Sequence, residues 1–261
     1  MAKNKTPKKS SEIIQVENLV KKFGDFTAVN NISFSVKQGE IFGILGPNGA
    51  GKTTTLEIME TLQKQTDGTV LIDGIDTLVH PWEVKSRIGI QLQSANFYPE
   101  LTLVELLKMF AAMYDVPVDP MAMLKKVQLE DKAKSFANKL SGGQKQRFSI
   151  AATLVNRPKI VFLDEPTTGL DPQARLNLWD MIEEIKKTGI TFVITTHYME
   201  EAEKLCDRIA VMDGGEILKI ATPHKFIQDL LDTGFKKEVI RQGATLEDVF
   251  LNLTGKKLRD E

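Results

Sequence analysis

Between Glu12 and Gly46 the chain reads EIIQVENLVKKFGDFTAVNNISFSVKQGEIFGILG, in which short apolar and β-branched stretches are broken by GD, NN and KQG. That pattern predicts antiparallel strands leading into one buried strand, EIFGIL. From Gly51 the spacing turns helical through GKTTTLEIMETLQ, and DGTVLIDG then returns to a strand bounded by turns. The region from about residue 94 to residue 157 reads as helices. LTLVELLKMFAAMY sets Leu103, Leu106, Leu107 and Phe110 near one face, and SGGQKQRFSIAATLV is a further helix with Ser141 suited to cap it. Beyond it, KIVFLDEP, ITFVITTH and CDRIAVMDGGEILKI read as strands, with PQARLNLWDMIEEIKKTG and YMEEAEKL helical between them. Strands alternating with helices predict an α/β fold built on an open, mostly parallel sheet covered on both faces. An antiparallel β portion precedes this core, the helical stretch is an insertion, and residues from 222 to 261 form a C-terminal extension. No internal repeat, low-complexity tract or sustained heptad is present.

Composition narrows the picture. With 261 residues, 42% apolar and 26% charged, the chain can bury a substantial core. A net charge of -1 provides no global field for nucleic acid or an anionic membrane. Residues 1–10 collect Lys3, Lys5, Lys8 and Lys9 without the apolar region of a secretory signal, and are expected to be a disordered, solvated leader. No run approaches the ~18 apolar residues that span a bilayer, so any work in a membrane is expected to need another polypeptide. The single cysteine, Cys206, excludes a disulfide within the chain, fits a reducing cytosol and is expected as a packed thiol. Trp82, Trp179 and the methionines of MAML are expected to be packing residues.

The chemistry begins at GPNGAGKT, which matches G-x-x-x-x-G-K-[ST] at Gly46, Gly51, Lys52 and Thr53 with a strand before it and a helix after. Glycines allow successive backbone N–H groups to wrap an anion at a positive helix end, and Lys52 neutralises terminal phosphates. Thr53 offers a hydroxyl to Mg2+ bridging those phosphates. Asp164 closes the apolar run KIVFLD, where it can hold the metal through water, and the adjacent Glu165 can polarise a water. A guanine-reading N-K-x-D is not matched by the nearest string, NKLS at Asn138 to Ser141.

LSGGQKQR at Leu140 to Arg147 places a second glycine pair at the start of a second helix. With the Gly46 to Thr54 segment, LDEPTTGLD and TTH, in that order, the chain from about Glu12 to Ile220 resembles the ATP-binding cassette (ABC) ATPases. That resemblance implies a P-loop NTPase fold over residues 11–221, with the helical subdomain at about 94–157. It implies ATP and Mg2+ as ligands, ATP being held by Gly46, Pro47, Asn48, Gly49, Ala50, Gly51, Lys52, Thr53 and Thr54. Phe23 takes the place of an aromatic ring stacked on adenine, where the family more often has tyrosine; a core phenylalanine is the alternative. Gln93 matches the glutamine that senses Mg2+ and the attacking water; Gln91 stands two positions earlier. Thr53, Gln93 and Asp164 are then the metal residues, with Glu165, His197, Gln93 and Lys52 catalytic. Asp171 matches a loop that crosses between subunits. In the family two chains pack head to tail, so that Ser141, Gly142, Gly143 and Gln144 of one cover ATP on the Lys52 loop of the other.

Three roles fit such a cycle. The first is the ATPase subunit of a transporter, at the cytoplasmic face of the cell membrane, driving a separate transmembrane permease as a homodimer or as a heterodimer with a related ATPase; the ending ATLEDVFLNLTG resembles bacterial exporter subunits for drugs, antibiotics, lipids or polysaccharides. The second is a soluble cassette acting on ribosomes or DNA. Ribosome-acting relatives usually pair two cassettes in one chain and DNA-repair relatives insert a long coiled coil; neither feature is present, and no nucleic-acid partner is expected. The third is an ATP-dependent assembly module, such as one serving iron-sulfur clusters.

Overall fold

The computed structural model describes residues 12–91 and 97–235, so the basic leader, Gln93 and the ending ATLEDVFLNLTG lie outside the described residues. Contacts divide the chain into two compact units, Met1–His224 and Lys225–Glu261.

The first unit opens with two long strands, β1 (Glu12–Phe23) and β2 (Phe26–Lys37), paired antiparallel through a tight turn that sets Phe23 opposite Phe26. β3 (Ile41–Leu45) follows, and every one of its residues is buried. α1 (Lys52–Met59) leads to β4 (Asp67–Ile72) and the two-residue β5 (Ile75–Asp76). β1, β2, β4 and β5 form an antiparallel sheet in the order β2-β1-β4-β5. After α2 (Pro81–Lys85), β6 (Ile88–Gln91) enters a second sheet. The inserted region then carries, among the described residues, the α-helices α3 (Leu103–Met113), α4 (Pro120–Lys126) and α5 (Gly142–Thr153), with two 3-10 turns between α4 and α5. β7 (Ile160–Asp164), α6 (Pro172–Lys186), β8 (Thr191–Thr196), α7 (Met199–Leu205), β9 (Arg208–Asp213) and β10 (Glu216–Ala221) complete the unit. The second sheet has the order β10-β9-β3-β8-β7-β6, parallel throughout except for the β9–β10 hairpin.

Burial explains why the three central strands read as continuous apolar runs. β3, β7 and β8 are buried at every position, as strands covered on both faces must be. Phe42, Phe162 and Phe192 are fully enclosed, each side chain contributing ~2–3 kcal/mol on burial. The two sheets share one hydrophobic cluster, in which Ile14, Val16 and Val70 join Phe42, Phe162 and Val193. Phe34 of β2 stacks on Phe42 of β3 with ring centroids 5.4 Å apart.

In the insertion, Thr102 and Glu105 form a reciprocal capping box on α3. Leu103, Leu106 and Leu107 are buried, with Phe110 half-buried at the edge of the same face. Helix α8 (Pro223–Asp232) presents Ile227, Leu230 and Leu231 at its surface.

Several elements depart from the sequence expectation. α1 stops at Met59 instead of running to Gln63, because Thr61 takes a left-handed φ of 61° that a helix cannot continue through. β5, α2 and β6 carry no periodic signal of their own; each is five residues or fewer. Trp179 is buried as expected and its indole donates to Glu201 at 3.1 Å. Trp82 is not a packing residue: it is 80% exposed and carries Lys85 Nζ 4.7 Å from its ring centre. Met121 of MAML is also exposed, in the first turn of α4, whereas Leu124 of the same helix is buried.

Candidate nucleotide site

The glycine segment joins the end of β3 to the start of α1. A Cβ on Gly46 would lie 2.1 Å from the Met212 carbonyl oxygen of β9, so the neighbouring strand already forbids a side chain there. Gly51 is the α1 N-cap with φ 98°, and a Cβ would lie 2.4 Å from the Ala28 carbonyl oxygen. Between them, Ala50 is buried and its N–H donates to the Pro47 carbonyl. α1 has no side-chain cap and no acidic residue in its first turn, which leaves its first N–H groups and positive end for an anion. Lys52 is 4% exposed, and its ammonium donates to the carbonyls of Gly46 at 2.9 Å and Pro47 at 3.0 Å.

The carboxylates arrive from β7. Asp164 ends that strand, and the Thr53 hydroxyl lies 3.2 and 3.4 Å from its two oxygens. Glu165 follows with φ 46°, a conformation costly for a residue with a Cβ and typical of strained functional turns. Its N–H donates to Thr195 on β8, and the Thr168 hydroxyl donates to its Oε2 at 3.2 Å. Its Oε1 lies 3.6 Å from Lys52 Nζ and 3.2 Å from His197 Nδ1. The angle leaves that histidine nitrogen without a hydrogen bond. His197 is further placed by Tyr198, whose ring centre is 4.1 Å away and whose own ring carries the Arg175 guanidinium at 4.9 Å. Behind the carboxylates sits Glu60, 2% exposed, whose carboxyl is pushed up to about 8, mainly by burial and then by the charges of Asp164 and Glu57.

Phe23 is 47% exposed, which removes the core alternative, and it lines one cleft with Asn48, Gly49, Gly51, Lys52, Thr53, Thr54 and Glu165. Phe26, 64% exposed, lines the same cleft; no motif marks it in the sequence, and its place across the hairpin from Phe23 follows from the strand register. Lys21 lies 4.7 Å from the Phe23 ring centre.

Ser141, Gly142, Gly143, Gln144 and Asp171 lie elsewhere. They line a groove with Gly169, Leu170, Arg147, Ala174 and Asn177, and it shares no residue with the Lys52 cleft. Ser141 and Gln144 form a capping box on α5, so the Gln144 side chain is already engaged with the Ser141 N–H at 3.0 Å. Asp171 caps α6 by accepting from the Ala174 N–H at 2.8 Å. Two helix N-termini therefore open into one groove, where the Gly142 and Gly143 N–H groups have no acceptor within their helix. Gln91, the alternative to Gln93, is buried on β6 with its Oε1 unpartnered.

A family model described as ABC transporter matches residues 29–168. The chain belongs to that family. As an ABC ATPase, it binds and hydrolyses ATP as the motor subunit of a transporter. It is 40% identical to Nod factor export ATP-binding protein I of Ralstonia nicotianae over 223 residues, covering 84% of this chain and 70% of that protein. It is also 40% identical to the linearmycin resistance ATP-binding protein LnrL of Bacillus subtilis, over 80% of this chain and 69% of LnrL. Among solved structures, cbiO1 of Clostridium perfringens, part of the transporter complex cbiONQ, superposes with a TM-score of 0.77 at 29% identity, covering 84% of this chain and 91% of that one. The ATP-binding cassette MJ0796, solved as a post-hydrolysis dimer with ADP and Pi, superposes with a TM-score of 0.72 at 30% identity, covering 80% and 98%.

Proposed function

We propose that this ABC ATPase works as an exporter motor in which ATP joins two cassettes head to tail. The phosphates sit on the Lys52 loop of one copy, and Ser141, Gly142 and Gly143 of the second close over them. The observation that carries this reading is that the two anion-binding helix ends line separate grooves of one chain, with no residue in common. A triphosphate between two copies engages both, and its charge offsets the repulsion of two positive helix ends. Support for dimeric action comes from the MJ0796 cassette, a dimer holding ADP and Pi.

Within the site, Phe23 and Phe26 offer apolar faces to the adenine, and Lys52 neutralises the terminal phosphates. Glu165 orients or deprotonates the attacking water, and His197 contacts the γ-phosphate. Thr53 and Asp164 bring hard oxygen donors together, a set suited to Mg2+, which keeps most of its shell as water and phosphate oxygen. Bound there, Mg2+ would supply charge neutralisation across the phosphates. Gln93 and Asp171 complete the set as reporters of the site to the permease and to the second copy. Hydrolysis weakens the bridge and the copies part, and that stroke drives a separate transmembrane permease from the cytoplasmic face. Export is favoured by the names of two relatives, one a Nod factor export protein and one a linearmycin resistance protein. Among the described residues no helix is long and apolar enough to cross a membrane, which leaves the pathway to that permease.

Turnover and sedimentation with ATP test the scheme. Lys52→Ala should lose ATP binding. Glu165→Gln should bind ATP, lose ~10²- to 10⁴-fold in turnover and sediment as an ATP-dependent dimer. Near-normal turnover in Glu165→Gln would remove the base assignment, and a nucleotide saturating a permanently monomeric Glu165→Gln chain would remove the shared site. Copurification of a membrane-spanning protein from detergent extracts tests the permease.

A further inference from the structure

The buried hydroxyl of Thr195 has no part in the proposed mechanism and touches two residues that do. Thr195 lies on β8 directly opposite Asp164 in the β7–β8 register, is fully buried, and has Ile44 opposite it on the other neighbouring strand, β3. Its hydroxyl donates to Asp164 Oδ1 and accepts from the Glu165 N–H at 3.1 Å. A hydroxyl has one proton, so these two bonds fix its orientation: the proton points at the carboxylate and a lone pair at the amide. We infer that Thr195 is a positioning residue for ATP hydrolysis, setting the carboxylate of Asp164 and the backbone of Glu165 with a single side chain.

The physical need is specific. Asp164 Oδ1 is shared between Thr195 and, at 3.4 Å, Thr53, while Oδ2 lies 3.2 Å from Thr53. Thr195 therefore holds the carboxylate plane, so that its oxygens stay aimed at the Thr53 hydroxyl. Glu165 sits at φ 46°, a conformation that relaxes unless its amide is held. The Thr195 carbonyl and hydroxyl oxygens both lie 3.1 Å from that amide nitrogen, clamping the turn that aims Oε1 between Lys52 and His197. A valine would fill the same volume on β8 without either polar bond, leaving an inward carboxylate oxygen short of a donor.

This inference rests on the roles proposed for Asp164 and Glu165, and the test separates it from them. Thr195→Val and Thr195→Ser are compared by calorimetric ADP binding with and without Mg2+, and by ATP turnover. Thr195→Val should lower kcat by roughly 10- to 100-fold, the equivalent of one lost hydrogen bond to an ionised group. It should also shrink, several-fold, the gain in ADP affinity that Mg2+ brings, leaving Mg2+-free ADP affinity unchanged; Thr195→Ser should restore both. If melting shows that valine prevents folding, Thr195→Ala is read in its place against Thr195→Ser. A wild-type Mg2+ increment with wild-type turnover in Thr195→Val, or a serine variant as impaired as valine, overturns the proposal. Glu165→Gln should keep the Mg2+ increment, so its retaining turnover would sink the base assignment without touching the Thr195 result.

Discussion

Replacing Glu60 by glutamine should flatten the pH dependence of stability. Glu60 is the C-cap of α1, its N–H bonded to the Leu56 carbonyl at 2.9 Å, with its side chain 2% exposed and Oε1 unpartnered. Burial first, then the negative charges of Asp164 and Glu57, push its carboxyl from 4.5 to about 8. Between those two values the folded chain holds a proton that the unfolded chain has released. The stability contribution is thus fully present below about 4.5, declines as pH rises and is lost above about 8. Each pH unit inside the window costs up to ~1.4 kcal/mol, so the ceiling for the whole window is ~5 kcal/mol, lessened by any relaxation around the charged form. Glutamine is neutral throughout and matches the shape. Urea unfolding of both proteins at intervals from pH 5 to pH 9 measures the difference. The wild type should lose several kcal/mol relative to Glu60→Gln across that range, most of it before pH 8. Parallel curves would refute the claim that Glu60 is folded as a neutral acid.

Other outcomes follow from single features. Thr61→Gly should raise stability by ~1 kcal/mol in thermal or urea unfolding, because a β-branched residue held at φ 61° is relieved of left-handed strain that exceeds the added unfolded-state freedom of glycine. Ser141→Ala removes half of the α5 capping box, costing ~1 kcal/mol of stability, and in a Glu165→Gln background it should weaken ATP-dependent dimerisation measured by sedimentation. Cys206 should resist thiol reagents in the native chain at pH 8 and react after unfolding, since burial and the nearby Glu201 and Asp207 charges hold its thiol well above the ordinary range.

Local periodicity was enough to identify the central strands and most long helices, because strands buried on both faces must be apolar at every position and the helices that cover them must carry a stripe. The residues proposed for phosphate and metal were equally legible: Lys52 and Thr53 close one contiguous motif and open α1, and Asp164 ends a run that reads as a strand without help. The short connectors between Ile75 and Gln91 were not, since a strand of four residues and a helix of five repeat their periods only once or twice, too few times to stand out in a sequence. The exposure of Trp82 was also illegible, because composition alone expects a tryptophan to be covered.

Residue order alone carried the inventory: a nucleotide loop, two carboxylates, a histidine and a second glycine-led helix, in the order of one ATPase family. Tertiary structure decided which of these share a surface. Register across β7 and β8 sets Thr195 against Asp164, residues 31 positions apart, and the hairpin between β1 and β2 adds Phe26 to the cleft that Phe23 lines. The fold likewise keeps the Ser141 groove apart from the Lys52 cleft. Such pairings depend on strand order and on the angle at which helices leave the sheet, quantities fixed by packing of residues distant in the chain, and so absent from any local window of the sequence.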